Sequence, residues 1–220
     1  MAERHVHHGD GLTWLRDHEL GREHAVVTSL PDLSELPALD LEAWRRWFVD
    51  AVTLIGSRIH PEAVAIFYQT DIKHEGRWID KAHLVQQGAD AAGLGCLWHK
   101  IVCRTAPGQT TFGRPAYGHW LAFSRELRLA PGASTPDVLP ELGEMTWSRA
   151  MPMTAAVGSC VFLKGHAACR VVVDPFCGRG TILAVANDHG LDAIGVELSK
   201  KRARKARGLR LCSDGETARS

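Results

Sequence analysis

The run Asp174-Pro175-Phe176-Cys177-Gly178-Arg179-Gly180-Thr181 follows three consecutive valines, Val171 to Val173, and Glu197 comes sixteen residues after Thr181. The order reads as an apolar strand, a glycine turn, a helix start, and a second strand that ends in an acid. A nucleoside-bearing ligand needs close backbone approach at one strand end and a ribose clamp at the next. Gly178 and Gly180 keep side chains out of the ligand's path. Asp174-Pro175 ends the strand and fixes the turn, and Thr181 starts a helix whose free N–H groups favour an anionic group. The Glu197 carboxylate can accept two ribose hydroxyl bonds. Leu183 stands where a nicotinamide fingerprint has its third glycine, which counts against a dinucleotide. A tight turn with no ligand is the alternative, but two glycines, Asp174 and Glu197 in register favour a cofactor site. Cys177 would line that site, with nothing nearby to make it a nucleophile.

Asp174-Pro175-Phe176, Gly178, Gly180-Thr181 and then Gly195-Val196-Glu197 together resemble S-adenosylmethionine-dependent methyltransferases of the DNA amino-methyltransferase type. The resemblance covers most of the chain. It implies that the glycine loop holds the methionine part of S-adenosyl-L-methionine and that Glu197 holds its ribose. Gly9-Asp10 resembles the family segment whose acid contacts the adenine, so Asp10 joins the cofactor set. Trp98-His99-Lys100 and Gly118 to Phe123 resemble the two late strands. Met151-Pro152-Met153 through Leu163 resembles the helix that covers the methionine end. The base-binding segment precedes the cofactor loop, as in the permuted group called beta. The implied fold is a class I methyltransferase, an α/β Rossmann-like doubly wound sheet of seven strands, mostly parallel with an antiparallel edge strand.

At the implied catalytic position the chain departs from the family. The pattern there is Asp, Asn or Ser, two prolines, then an aromatic residue, whereas this chain has Ser29-Leu30-Pro31-Asp32. In the family a side chain and a backbone carbonyl accept hydrogen bonds from an exocyclic amino group, and the ring stacks on the flipped base. Ser29 and Pro31 match. Leu30 replaces the first proline and Asp32 replaces the aromatic. Losing the ring removes stacking worth ~1–3 kcal/mol per base. Asp32 can accept a proton or bind an amino group, or it can cap the next turn. Trp78, Phe112 and Tyr117 are aromatic residues that could supply a ring from elsewhere.

The elements that must position these residues alternate between strand and helix, which argues for an α/β sheet. A first short strand ends at Gly9-Asp10. A second, Ala25 to Thr28, stops at Pro31. Trp44, Phe48, Val52 and Ile55 give helical spacing over Leu41 to Ile59. Ala63 to Tyr68 is a strand, Gln69 to Trp78 a polar loop, and Lys81 to Ala92 a helix. Leu97 to Val102 and His119 to Phe123 form a late pair with no helix between them, expected as an antiparallel edge. Residues 1–220 form a single domain, with a loop insertion at 130–144 and a flexible tail at 208–220.

Net charge is +1 over 220 residues, so there is no global bias toward nucleic acid or membrane. The exception is the basic run Lys200 to Arg210, read first as a solvated helix face and second as a phosphate track. No apolar run approaches the length of a membrane span, and no signal peptide precedes the first strand. Six cysteines without CxxC pairing suit reduced thiols in the cytoplasm. His5, His7 and His8 lack a third ligand at suitable spacing, so no metal is expected. The stretch from Arg104 to Arg149 leaves little room for a domain that reads base sequence. The resemblance implies a nucleic acid base as acceptor, and this short stretch favours RNA over DNA. A small molecule, a protein side chain, or a chain that only binds the cofactor are the alternatives.

Overall fold

Val171 to Asp174 and His24 to Thr28 are nearly continuous apolar runs, the composition of strands covered on both faces. The computed structural model describes residues 2–211 and bears this out. In chain order the elements are β1 (Arg4–His8), α1 (Gly11–Asp17), β2 (His24–Thr28), α2 (Leu41–Arg58), β3 (Ala65–Gln69), β4 (Ile72–His74), β5 (Arg77–Ile79) and α3 (Lys81–Ala91). They continue with β6 (Gly95–Cys103), β7 (Tyr117–Ser124), β8 (Val138–Leu139), α4 (Met153–His166), β9 (Val171–Asp174), α5 (Thr181–Asp188), β10 (Asp192–Glu197) and α6 (Lys200–Gly208).

The main sheet runs β1-β10-β9-β2-β3-β7-β6-β8. Helices α1, α2 and α3 cover one face through Leu12, Trp44, Phe48 and Val85. Helices α4, α5 and α6 cover the other through Leu163, Ile182, Leu183 and Ala203. Trp44, Phe48, Val52 and Ile55 are each 0% exposed, which gives the helical spacing of α2 its cause.

Three details differ from expectation. The sheet has eight strands rather than seven. The extra strand, β8, comes from the stretch expected to be a loop insertion, and pairs in parallel with β6. The buried Lys100 ammonium fixes it there, donating to the Thr135 and Pro136 carbonyls at 2.9 Å. The antiparallel strand, β7, lies between β3 and β6 rather than at the edge. The polar loop after β3 contains the small hairpin β4–β5, turned by Glu75 (φ 48°) and Gly76 (φ 74°). Two successive positive φ values give the twist that such two-residue turns need. Of the expected tail, 212–220 lies outside the described residues, as does Cys212.

From β9 the chain crosses through α5 to β10 on one side. From β2 it crosses through α2 to β3 on the other. Between β9 and β2 the winding reverses, and a crevice opens beyond their C-terminal ends. The Thr28 hydroxyl donates to Asp174 Oδ1 at 2.6 Å across that point.

Candidate active site

A cavity of about 600 Å³ occupies this crevice. Ser29, Leu30, Pro31 and Asp32 line it, together with Asp10, Asp174, Pro175, Phe176, Cys177, Gly178, Thr181 and Glu197. Segments far apart in sequence thus share one wall. Gly180 does not line the cavity. It sits at φ +83° before α5, and a Cβ there would lie 2.9 Å from Ala206 Cα. Its lack of a side chain admits α6. Gly178, at φ +57°, similarly admits a ring: a Cβ would lie 2.9 Å from Trp147 Cζ2.

Asp174 is 5% exposed. Its Oδ1 accepts from Thr28 and from the Phe176 amide at 3.0 Å, and no described residue donates to Oδ2. Burial pushes this carboxyl up to about 7; the Glu197 charge adds to the rise, while the Thr28 and Phe176 bonds oppose it. Such a group favours a cationic partner. Glu197 Oε1 accepts the Ser199 amide at 2.7 Å, which leaves the other oxygen for a hydroxyl. Asp10 caps α1, accepting the Thr13 amide at 2.7 Å through Oδ1. Gly11 brings α1 against the glycine loop so closely that a Cβ would overlap the Pro175 carbonyl. The donor set therefore suits a ligand that is cationic near Asp174 and hydroxylated near Glu197, as S-adenosyl-L-methionine is. Burial beside Asp174 and Glu197 pushes the Cys177 thiol well up, so it is neither thiolate nor nucleophile.

At the other end, Ser29 and Leu30 leave β2. Neither the Ser29 hydroxyl nor the Leu30 carbonyl has a partner among the described residues, whereas the Pro31 carbonyl accepts from Trp44 Nε1 at 3.2 Å. Asp32 occupies the N-cap position of a single turn, Leu33–Glu35, and its carboxylate lies 2.5 Å from the ammonium of Lys81. Its hydrogen-bond partner is Lys81, while Glu35 Oε1 accepts from the Asp32 amide at 3.4 Å. Lys81 was not legible from its neighbours, though a cation in the first turn of a helix opposes the dipole and signals a partner.

The roof is the segment before α4. Trp147 lies beneath two guanidinium groups, Arg179 at 4.9 Å and Arg202 at 5.6 Å from its ring centroid. Arg149 and Arg202 both reach Glu35, at 2.9 and 3.6 Å, and so tie the roof and α6 to the segment after Asp32. No periodicity marks Trp147 or Arg149 in the sequence. Trp78, Phe112 and Tyr117 do not line the cavity; Trp47, Tyr68, Trp147 and Phe176 do.

Asp71 also lines the cavity and accepts from Trp78 Nε1 (2.8 Å), the Lys81 amide (2.8 Å) and His119 Nε2 (3.0 Å). Asp71, Asp80 and His119 have the spacing of a metal-binding group. The three bonds to Asp71 already satisfy its carboxylate without an ion. His5 pairs with Glu3, and His8 bonds the Leu198 carbonyl.

No family model matches the chain, and neither does any curated protein. Solved structures do. A putative DNA modification methylase from Thermus thermophilus, complexed with S-adenosyl-L-methionine, is 20% identical with a TM-score of 0.71; the match covers 92% of this chain and 91% of that one. The PvuII DNA methyltransferase (cytosine-N4-specific) is 15% identical with a TM-score of 0.66, over 95% and 87%. The M1.HpyAVI complex with the same cofactor is 10% identical with a TM-score of 0.60, over 93% and 97%. At these identities the likeness establishes the fold: the chain has the class I methyltransferase architecture. Among the described residues, no helix is long and apolar enough to cross a membrane.

Proposed function

We propose that this chain is an S-adenosyl-L-methionine-dependent methyltransferase that methylates an exocyclic amino group of a nucleic acid base. One observation carries the reading: the glycine loop, Glu197 and Ser29 to Asp32, far apart in sequence, line a single cavity at the sheet's switch point. DNA is the favoured acceptor, because the structurally similar proteins are DNA methylases. The preference for RNA drawn from the short Arg104 to Arg149 stretch has no such support.

When bound, the cofactor supplies a methyl group on a positively charged sulfur. Asp174 and Asp10 would hold its amino and adenine ends, and Glu197 its ribose. The Ser29 hydroxyl and Leu30 carbonyl would accept the two N–H bonds of the acceptor, aiming the nitrogen lone pair at the methyl carbon. Proximity and orientation supply most of the rate in such a step. Asp32, ion-paired with Lys81, would accept the amine's proton.

The experiment is label transfer from methyl-tritiated cofactor to DNA, RNA, protein and metabolite fractions. Label in DNA, released on digestion as a methylated amino-nucleoside, is the expected result. Label confined to metabolites would reject the nucleic acid reading. Glu197→Ala should weaken cofactor binding at least tenfold by calorimetry.

A further inference from the structure

The cavity's cations fall into two groups. Lys81 pairs with Asp32, and Arg149 and Arg202 pair with Glu35. Lys73, Arg104 and Arg114 also line the cavity, yet among the described residues none of them forms an ion pair within 4.0 Å. They come from three segments: β4, the residue after β6, and the loop before β7. That loop is pinned to β6 where the Arg104 and Thr105 amides donate to the Ala116 carbonyl at 2.7 and 3.3 Å. The Asp71 carboxylate makes no ion pair with them; its oxygens accept from Trp78, Lys81 and His119.

A second observation points to a ligand in the same cavity. Tyr68 is 4% exposed and lines the cavity, and its buried hydroxyl has no hydrogen-bond partner of acceptable geometry. Thr70 and Arg104 lie beside it. Burial raises the phenol above its ordinary range, which keeps it a donor at neutral pH. Gly118 makes the space, for a Cβ there would overlap the Tyr68 hydroxyl. An orphan donor beside Arg104, in a cavity that Lys73 and Arg114 also line without ion pairs, suits a doubly hydrogen-bonding anion, and Arg forks match phosphate oxygens. Aromatic surface flanks the group: Phe112, two residues before Arg114, is 90% exposed, and Trp78, 46% exposed, carries the Lys73 ammonium 5.1 Å above its ring. Cations interleaved with exposed rings form a surface on which a nucleic acid strand tracks.

We propose that Lys73, Arg104 and Arg114, with the Tyr68 hydroxyl, form a subsite for a phosphodiester of the acceptor strand, adjoining Ser29 to Asp32. The proposal rests on the nucleic acid reading above and adds where the backbone is gripped. The subsite would fix the target nucleotide's position without reading its base.

The test uses the full chain and a fluorescent single-stranded 12-mer oligodeoxynucleotide, with cofactor titration run in parallel. In Arg104→Gln/Arg114→Gln, affinity for the oligonucleotide should fall roughly tenfold or more, because two charge-assisted contacts are lost. The slope of log K against log salt should flatten by about one unit. Cofactor affinity should stay within twofold, and the exposed control Arg128→Gln should match wild type. An arm independent of mutation uses an oligonucleotide with neutral methylphosphonate linkages. Wild type should bind it at least as weakly as the double variant binds the phosphodiester, and the two proteins should bind the neutral strand alike. A nucleoside monophosphate that competes as well as the 12-mer would overturn the strand assignment in favour of a free phosphate ester. Unchanged oligonucleotide affinity in the double variant, or full-strength binding of the methylphosphonate, would overturn the subsite. Loss of cofactor binding in wild type would instead strike the methyltransferase reading.

Discussion

Lys81, whose side chain is 3% exposed, places its ammonium 2.5 Å from the carboxylate of Asp32, whose side chain is 40% exposed. A buried cation thus faces the residue that stands where a stacking ring is expected. Lys81 also lies 5.7 Å from the Phe48 ring centroid, and its amide holds Asp71. The pair sets the local charge where Ser29 to Asp32 line the cavity.

Asp32→Ala leaves the Lys81 charge buried without its partner. Stranding a fully buried charge costs about 3–5 kcal/mol, but solvent reaches this pair through Asp32, so a loss of about 1–2 kcal/mol is expected. Denaturant unfolding measures it. Lys81→Met should recover part of that loss when added to Asp32→Ala; additive losses would show the two residues to be uncoupled.

Asp174 titrates near 7 in the fold against 3.8 as a free carboxyl. Its folded value is raised, so the penalty is absent below about pH 4, grows as the unfolded chain alone ionises, and is complete above about pH 7. Stability should therefore fall across that window by at most a few kcal/mol. Asp174→Asn should flatten this part of the profile in thermal scans from pH 4 to 8. S-adenosyl-L-methionine, being cationic there, should bind more tightly to wild type as pH rises through 7, a trend the variant would lack.

Thr28→Val removes the hydroxyl that bonds Asp174 across the switch point. A buried charge-assisted bond contributes about 1.5–3 kcal/mol. Chemical denaturation should show a loss of that order; a change under about 0.5 kcal/mol would mean water replaces the hydroxyl.

Trp147→Ala takes away the ring shared by Arg179 and Arg202 and opens the roof over Gly178. Each exposed cation–π contact contributes about 0.5–1 kcal/mol. Denaturant unfolding should therefore show a loss of about 1–2 kcal/mol, and cofactor affinity should weaken by calorimetry as the roof opens. A stability loss with intact affinity would mark the ring as purely structural.

Gly11→Ala tests the contact between α1 and the glycine loop. The new methyl would overlap the Pro175 carbonyl, and overpacking of this kind costs about 1–3 kcal/mol. Relief of the clash must move α1 or Pro175, so cofactor affinity should fall together with stability.

Local pattern determined much of this protein. Three valines, Asp174-Pro175 and two glycines specify a strand, a turn and a helix start wherever they occur, because they act through φ, burial and backbone hydrogen bonds. Helical spacing in α2 likewise reports the face that Trp44 and Phe48 bury. Only the tertiary structure decided which distant groups meet. Lys81 opposes Asp32 across 49 residues, Arg202 and Arg149 converge on Glu35, and Lys73, Arg104 and Arg114 reach one cavity from three segments. These pairings depend on charge and distance in space, for which no periodicity exists along the chain. Even the two glycines shifted meaning: their φ values suit the turn foreseen, but the neighbours their missing side chains admit are Trp147 and Ala206. A glycine in sequence announces that something comes close, and the fold determines what.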